Sequence, residues 1–386
     1  MNIINSYLLN NINSTNTAQT RFLTKDFDKK NPNEDKPSSN LIERYLQNLS
    51  NINSVNIQQN NEKITPSYVE GYNNYIEFDN SGNKIIEVSN KKEGNFIVQN
   101  VKTKSVDNIV TERVIKNSAD TRLLSLLIKD KNGNVLLTRE KSYKKFNDDE
   151  AQTIVNGDVY NISGLKNNVI TIEHNGKTAI LDLDKMISED VVEGKSDNGD
   201  IIRNSKLSAE EKEKIFSKIK ILDGDDLFRL SESVNKLQYF TGMDSFFEEK
   251  NKSLQLQTKD SFGQGITVHE LGHAYNHKND IRYSDDVNFA KIRTVAGARY
   301  SNRTNTTTND KRFYGKFLDT QQCKQFYNGN EDVANLNLQD EIFAESYNLL
   351  NSTKLADFVD GAGCPGRMLS MMKYMPEALI EVNKQL

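Results

Sequence analysis

The sequence predicts an α+β protein: an antiparallel β-rich domain over residues 66–188, then a mainly helical domain over 207–386 built around one histidine-bearing helix. Three observations carry this expectation. Residues 66–186 alternate apolar and polar side chains in short runs broken by Asn/Gly turns, the pattern of half-buried strands joined as hairpins. From Ser208 onward the apolar spacing shifts to three and four, the period of amphipathic helices. Within that second region, His269-Glu270-Leu271-Gly272-His273 sets two of the chain's four histidines four residues apart.

The 386 residues are enough for two or three domains with a substantial core. A formal charge of −4, with no basic stripe interleaved with aromatics, argues against electrostatic binding of nucleic acid. No apolar run approaches the roughly 18–20 residues needed to cross a bilayer, so no transmembrane segment is expected. The first ten residues lack a basic start and a continuous apolar stretch, which does not fit a Sec-type signal peptide. The expectation is a cytoplasmic protein or one exported by a non-classical, effector-type route. Cys323 and Cys364 match no zinc or redox spacing and are expected as free thiols, with Cys364 in a Gly/Pro turn.

Taken in order, residues 1–65 are rich in Asn, Ser, Thr, Asp and Lys and read as a polar, largely disordered segment. A short helix is expected over Leu41 to Leu49. Three hairpins follow from turn chemistry, at Asn80-Ser81-Gly82-Asn83, Lys131-Asn132-Gly133-Asn134 and Asn175-Gly176. Residues 189–206, acidic and containing Gly194, Asn198 and Gly199, read as a linker. Ser208-Ala209-Glu210-Glu211 forms a capping box that opens a helix through about Lys220. A further helix is expected over Asp225 to Phe240. Ser253 to Thr258 alternates as a strand just before the histidine-bearing helix, and by likeness to zinc peptidases a strand so placed is expected to edge a cleft, where an extended substrate backbone could pair with it. Near the end, Ser352 is expected to cap a helix through about Val359, Pro365 to open a segment around Met368 to Met375, and Pro376 to sit in the first turn of a terminal helix. Met368, Met371, Met372 and Met375 read as core filling.

On a helix each residue advances about 100°, so His269 and His273 stand about 40° apart on one face, one turn apart. Two imidazoles so placed can hold one zinc ion, with Glu270 within reach of a water at the ion's open position. This is the metallopeptidase HExxH motif. Val268, Leu271 and Tyr275 fall opposite the histidines and are expected in the core, and Gly272 leaves room for a close neighbour. A polar turn over Asp260 to Gly265 would start this helix. Hydrolysis needs a third protein ligand. A metzincin continuation would require Gly at 276 and His at 279, where the chain has Asn276 and Asn279. His277 reads as a polar helix-end residue. Downstream, Glu341 and Glu345 share one helical face opposite the apolar stripe Phe343, Tyr347 and Leu350. Glu341 is assigned to the metal and Glu345 to the free N–H of a histidine ligand, His269.

His269 to Ala274 together with Glu341-Ile342-Phe343-Ala344-Glu345-Ser346-Tyr347 resembles the gluzincin metallopeptidase family of the anthrax lethal factor catalytic domain and the clostridial Pro-Pro endopeptidases. The likeness covers roughly residues 261–355. It implies a zincin-like domain, Zn²⁺ bound by His269, His273 and Glu341, catalysis by Glu270, and endopeptidase activity on a protein or peptide substrate. Weaker likeness to clostridial neurotoxin light chains and injected HExxH effectors implies a bacterial toxin or virulence role. The chain departs from the family in two places. His273 and Glu341 are 341 − 273 = 68 positions apart, a long interval, and Ala334 stands where the family carries a tyrosine seven residues before its glutamate ligand. Tyr327 or Tyr314 is the candidate to stabilise the oxyanion in its place. Two alternatives remain open: a binding module with structural zinc, and an inactive zincin-like scaffold. The presence of Glu270 counts against the second.

Overall fold

The computed structural model describes residues 72, 74–79, 81–195, 201–241, 245–257, 264–278, 282–285, 288–302, 307–325, 327–355 and 364–386. The expectations for residues 1–65, for the turn at 260–263 and for a helix reaching Val359 lie outside these.

Ten strands run in sequence order as one antiparallel meander: β1 (Tyr75–Phe78), β2 (Lys84–Glu93), β3 (Phe96–Lys104), β4 (Val110–Asn117), β5 (Thr121–Lys129), β6 (Val135–Lys145), β7 (Ala151–Val155), β8 (Asp158–Ser163), β9 (Val169–His174) and β10 (Lys177–Asp182). The turns form where the Asn/Gly sequences demand them. Asp130 accepts from the backbone N–H groups of Asn132 and Asn134, closing the β5–β6 hairpin, and Gly133 adopts φ +86° there. Strand alternation turns one face inward, carrying Thr111, Arg113 and Ile115 on β4, Leu124, Leu126 and Ile128 on β5, and Leu137, Arg139, Lys141 and Tyr143 on β6.

A second sheet of five strands is mixed. Its order is β12 (Ile201–Lys206), β11 (Ile187–Lys195), β13 (Lys236–Phe240), β15 (Ser253–Leu256) and β14 (Phe246–Glu248). The β11–β13 and β13–β15 pairs are parallel; the outer pairs are antiparallel. Helices complete the fold: α1 (Ala209–Lys220), α2 (Gly224–Ser233), α3 (Gln264–Asn276), α4 (Phe289–Ser301), α5 (Thr308–Phe313), a π-turn at Tyr314–Leu318, α6 (Thr320–Gln325), α7 (Glu331–Asn351), α8 (Cys364–Tyr374) and α9 (Pro376–Asn383). The Ser208 capping box opens α1, and Pro376 occupies the first turn of α9. Among the described residues no helix is long and apolar enough to cross a membrane.

The expected fold class is corrected. The molecule is not a mainly helical zincin-like domain preceded by a separate β-rich domain. The ten-stranded sheet is its largest single element, a second sheet runs through the region expected to be helical, and one hydrophobic core extends from Ile86 on β2 to Val382 on α9. Local differences have physical causes. Within the stretch read as linker, the described residues form the rest of β11, whose Val191 and Val192 are buried against β13, and β12, which pairs with β11. The helix expected to Phe240 ends at Ser233. Val234 turns extended (φ −120°, ψ 121°), and Leu237, Gln238 and Phe240 then bury as strand β13. β15 is paired on both sides, with β13 and β14, so it offers no free edge to an extended substrate. Cys364, expected in a turn, opens α8 instead, and Ser352 ends α7 rather than capping a new helix. The four methionines are buried in the core.

The sheet holds α7 by its C-terminal end. The last four carbonyls of a helix have no intrahelical partner and carry the negative end of its dipole. Arg113 donates from Nε to the Leu349 carbonyl (3.2 Å) and from Nη2 to that of Ser352 (2.6 Å). Arg139 donates to the Leu350 carbonyl (2.9 Å) and to Asn351 Oδ1 (2.5 Å), and Lys141 to the Asn351 carbonyl (2.9 Å). Three buried cations on one face of the sheet thus fix the axial position of the helix that carries Glu341.

Candidate metal centre

Helices α3 and α7 cross in close contact, and Gly272 is the reason they can. A Cβ there would sit 2.8 Å from Ala344 Cα and 3.0 Å from both the Ala344 carbonyl oxygen and Tyr347 Cβ. Val268, Leu271 and Ala274 are fully buried and Tyr275 nearly so, which turns His269, Glu270 and His273 towards α7.

His269, His273 and Glu341 bring one ligand atom each within 4.8 Å of one another, a group that could hold a metal ion. The two imidazole rings are nearly perpendicular (84°), with centroids 4.9 Å apart. Glu341 Oε2 lies 3.5 Å from His269 Nε2 and 3.8 Å from His273 Nε2. Ligands about 2.0–2.2 Å from a tetrahedral ion must stand roughly 3.3–3.5 Å apart, close to these separations. Glu341 Oε2 is also buried with no hydrogen-bond partner. An unmatched buried carboxylate oxygen is unfavourable unless a cation meets it, so the residues present fit a metal.

The far nitrogen of each ring has a carboxylate beside it. His269 Nδ1 is 2.8 Å from Glu345 Oε2, and His273 Nδ1 is 3.0 Å from Asp340 Oδ2. Carboxylates in these positions favour the tautomer that leaves each Nε2 lone pair facing the centre. Asp340 also accepts from Asn276 Nδ2 (2.6 Å) and meets His277 Nε2 at 3.2 Å, while His277 Nδ1 reaches Glu249 (3.2 Å). His277 is therefore an ion-paired neighbour of the centre rather than a ligand of it.

Charge at the site is dominated by burial and by the facing groups. Burial alone would raise the Glu341 carboxyl, but it is held well below its ordinary range, by the Lys316 ammonium most of all. Burial would also raise Asp340, yet His273 and His277 hold it well below the usual carboxylate value. Glu270 goes the other way. Burial pushes its carboxyl up to about 7 against the pull of His269 and His273.

Sequence reasoning missed two participants. Asp340 adjoins Glu341, and its signal was the need of a second histidine for its own acceptor. Lys316 Nζ lies 2.7 Å from Glu341 Oε1 and had no local signal, since the π-turn that delivers it is set by packing. Tyr327 is not brought into the ligand group. It packs with Cys323, Ala334 and Leu338 in a small apolar cluster, where burial raises its phenol, and among the described residues nothing hydrogen-bonds its hydroxyl to His269, Glu270, His273 or Glu341. Tyr314 is 37% exposed and stacks on Tyr300.

No protein-family model, curated protein or solved structure matches the chain. The resemblance noted above therefore rests on the motif residues themselves.

Proposed function

We propose that this chain is a zinc-dependent endopeptidase. The observation that carries the reading is the convergence of two imidazoles and one carboxylate with Glu270 on the same helix as the imidazoles. Three protein ligands of N, N and O type are the composition of a catalytic zinc site; closed structural sites add a further Cys or His.

When bound, zinc supplies Lewis-acid polarisation of a carbonyl and lowers the pKa of water from about 15.7 towards about 7. The protein's own groups do the rest. Glu270 accepts the proton of the attacking water and delivers it to the departing amine. Glu345 and Asp340 keep the rings of His269 and His273 oriented throughout. The substrate class, a peptide bond in an extended protein segment, and a role as an exported bacterial effector both follow the motif resemblance.

The test is hydrolysis of an unbiased peptide library by the full chain. Cleavage is expected to stop on addition of a strong chelator and to return with added zinc. A zinc-loaded chain that leaves the library intact would overturn the reading.

A further inference from the structure

We propose that Lys316 is a positioning residue of this centre: its ammonium holds one oxygen of Glu341, so that the other oxygen alone is presented to the ion. The inference rests on the metal-hydrolase reading and deepens it.

The two carboxylate oxygens of Glu341 have different surroundings. Oε1 is 2.7 Å from Lys316 Nζ, whereas Oε2 faces both histidine Nε2 atoms and has no hydrogen-bond partner. A free carboxylate can rotate and chelate through both oxygens, which would fill the coordination position that water and substrate need. An ammonium fixed on one oxygen prevents that.

The lysine is itself held. It projects from the π-turn Tyr314–Leu318, an irregularity that recurs at functional sites because it re-aims one side chain out of a helix. Arg293 on α4 pins the turn by donating to the Phe317 carbonyl (3.0 Å), to Thr320 Oγ1 (2.6 Å) and to Asn335 Oδ1 (2.9 Å), and Asn335 lies on α7 itself. Phe313 and Phe317 are fully buried on either side. One arginine therefore ties the turn bearing Lys316 to the helix bearing Glu341. The Lys316 side chain is 29% exposed and that of Glu341 8%, so the ammonium closes the carboxylate from solvent on that side.

The experiment compares the wild-type full chain with Lys316→Met, Lys316→Gln and Lys316→Arg, each loaded with zinc or with cobalt(II). Chelator competition reads affinity, and the cobalt visible spectrum reads coordination number, because four-coordinate cobalt absorbs far more strongly than five-coordinate. Loss of a partner behind a metal ligand typically weakens affinity or activity by about 10–100-fold. The Met and Gln variants are expected to fall in that range for zinc affinity, to show weaker cobalt absorption, and to lose kcat with little change in KM. The Arg variant is expected to recover the spectrum. Unfolding midpoints run alongside show that the fold persists, and the Gln variant, polar but uncharged, serves if Met does not fold. Wild-type affinity and spectrum in folded Met or Gln variants would overturn the role of Lys316 while leaving the centre intact. A wild-type chain that takes up neither metal would overturn the centre itself.

Discussion

Glu270→Gln is expected to keep its zinc and lose about 10²–10⁴-fold of its hydrolytic rate, the range that a positioned general acid–base contributes. The two side chains have nearly the same shape, so packing of the 7%-exposed residue against its neighbours is retained. What changes is proton affinity: an amide cannot take a proton from water or return it to an amine. Glu270 is not one of the three side chains whose ligand atoms converge, so the ion loses no partner. Elemental analysis and turnover on the same preparation check both halves. A Gln variant that hydrolyses peptides at near wild-type rate would remove Glu270 from the chemistry.

Lys141→Met is expected to lower stability by about 3–5 kcal/mol, the usual result of leaving buried charges without their partner. The Lys141 ammonium is fully buried, 3.2 Å from Asp223, 2.7 Å from Asp225 and 2.8 Å from Asp226. Burial would lower its pKa, but the charges of Asp225, Asp226 and Asp223 hold it above its ordinary value. Removal leaves three aspartates with only arginines to balance them: Arg229 on Asp225 (2.8 Å), Arg139 further off (3.9 Å), and Arg122 against Asp223. Asp226 is the most exposed to the loss, because burial and the neighbouring charge of Asp225 already raise its carboxyl. The same ammonium donates to the Asn351 carbonyl, and Tyr347 donates to Asp226 (2.9 Å), so damage here reaches α7 and with it Glu341. Urea unfolding of Lys141→Met beside Lys141→Arg measures it. A shift below about 1 kcal/mol would mean that the sheet does not clamp the helix as described.

The site was more legible than the fold, and the difference is one of range. Histidine spacing on a helix is a local quantity fixed by 3.6 residues per turn, and so is the spacing of Glu341 and Glu345. Hairpins were legible for the same reason, since Asn-Gly chemistry closes a turn by itself. What stayed hidden depends on partners far along the chain. β13 reads as helix until Leu237 and Phe240 find β11 and β15, and nothing local to β4 or β6 says that Arg113 and Arg139 meet the end of α7. Alternation marked the strands as half-buried without showing that the two halves share a core. Lys316 is the same case within the site, because only packing of the π-turn brings it to Glu341.

The most direct measurement is the zinc content of the purified full chain and of Glu341→Ala, taken after dialysis against a weak chelator. One ion per chain is expected in the wild type, with most of it lost in the variant although the fold persists. Wild-type protein without zinc, or a Glu341→Ala chain that holds it as tightly, would contradict a centre built from two helices.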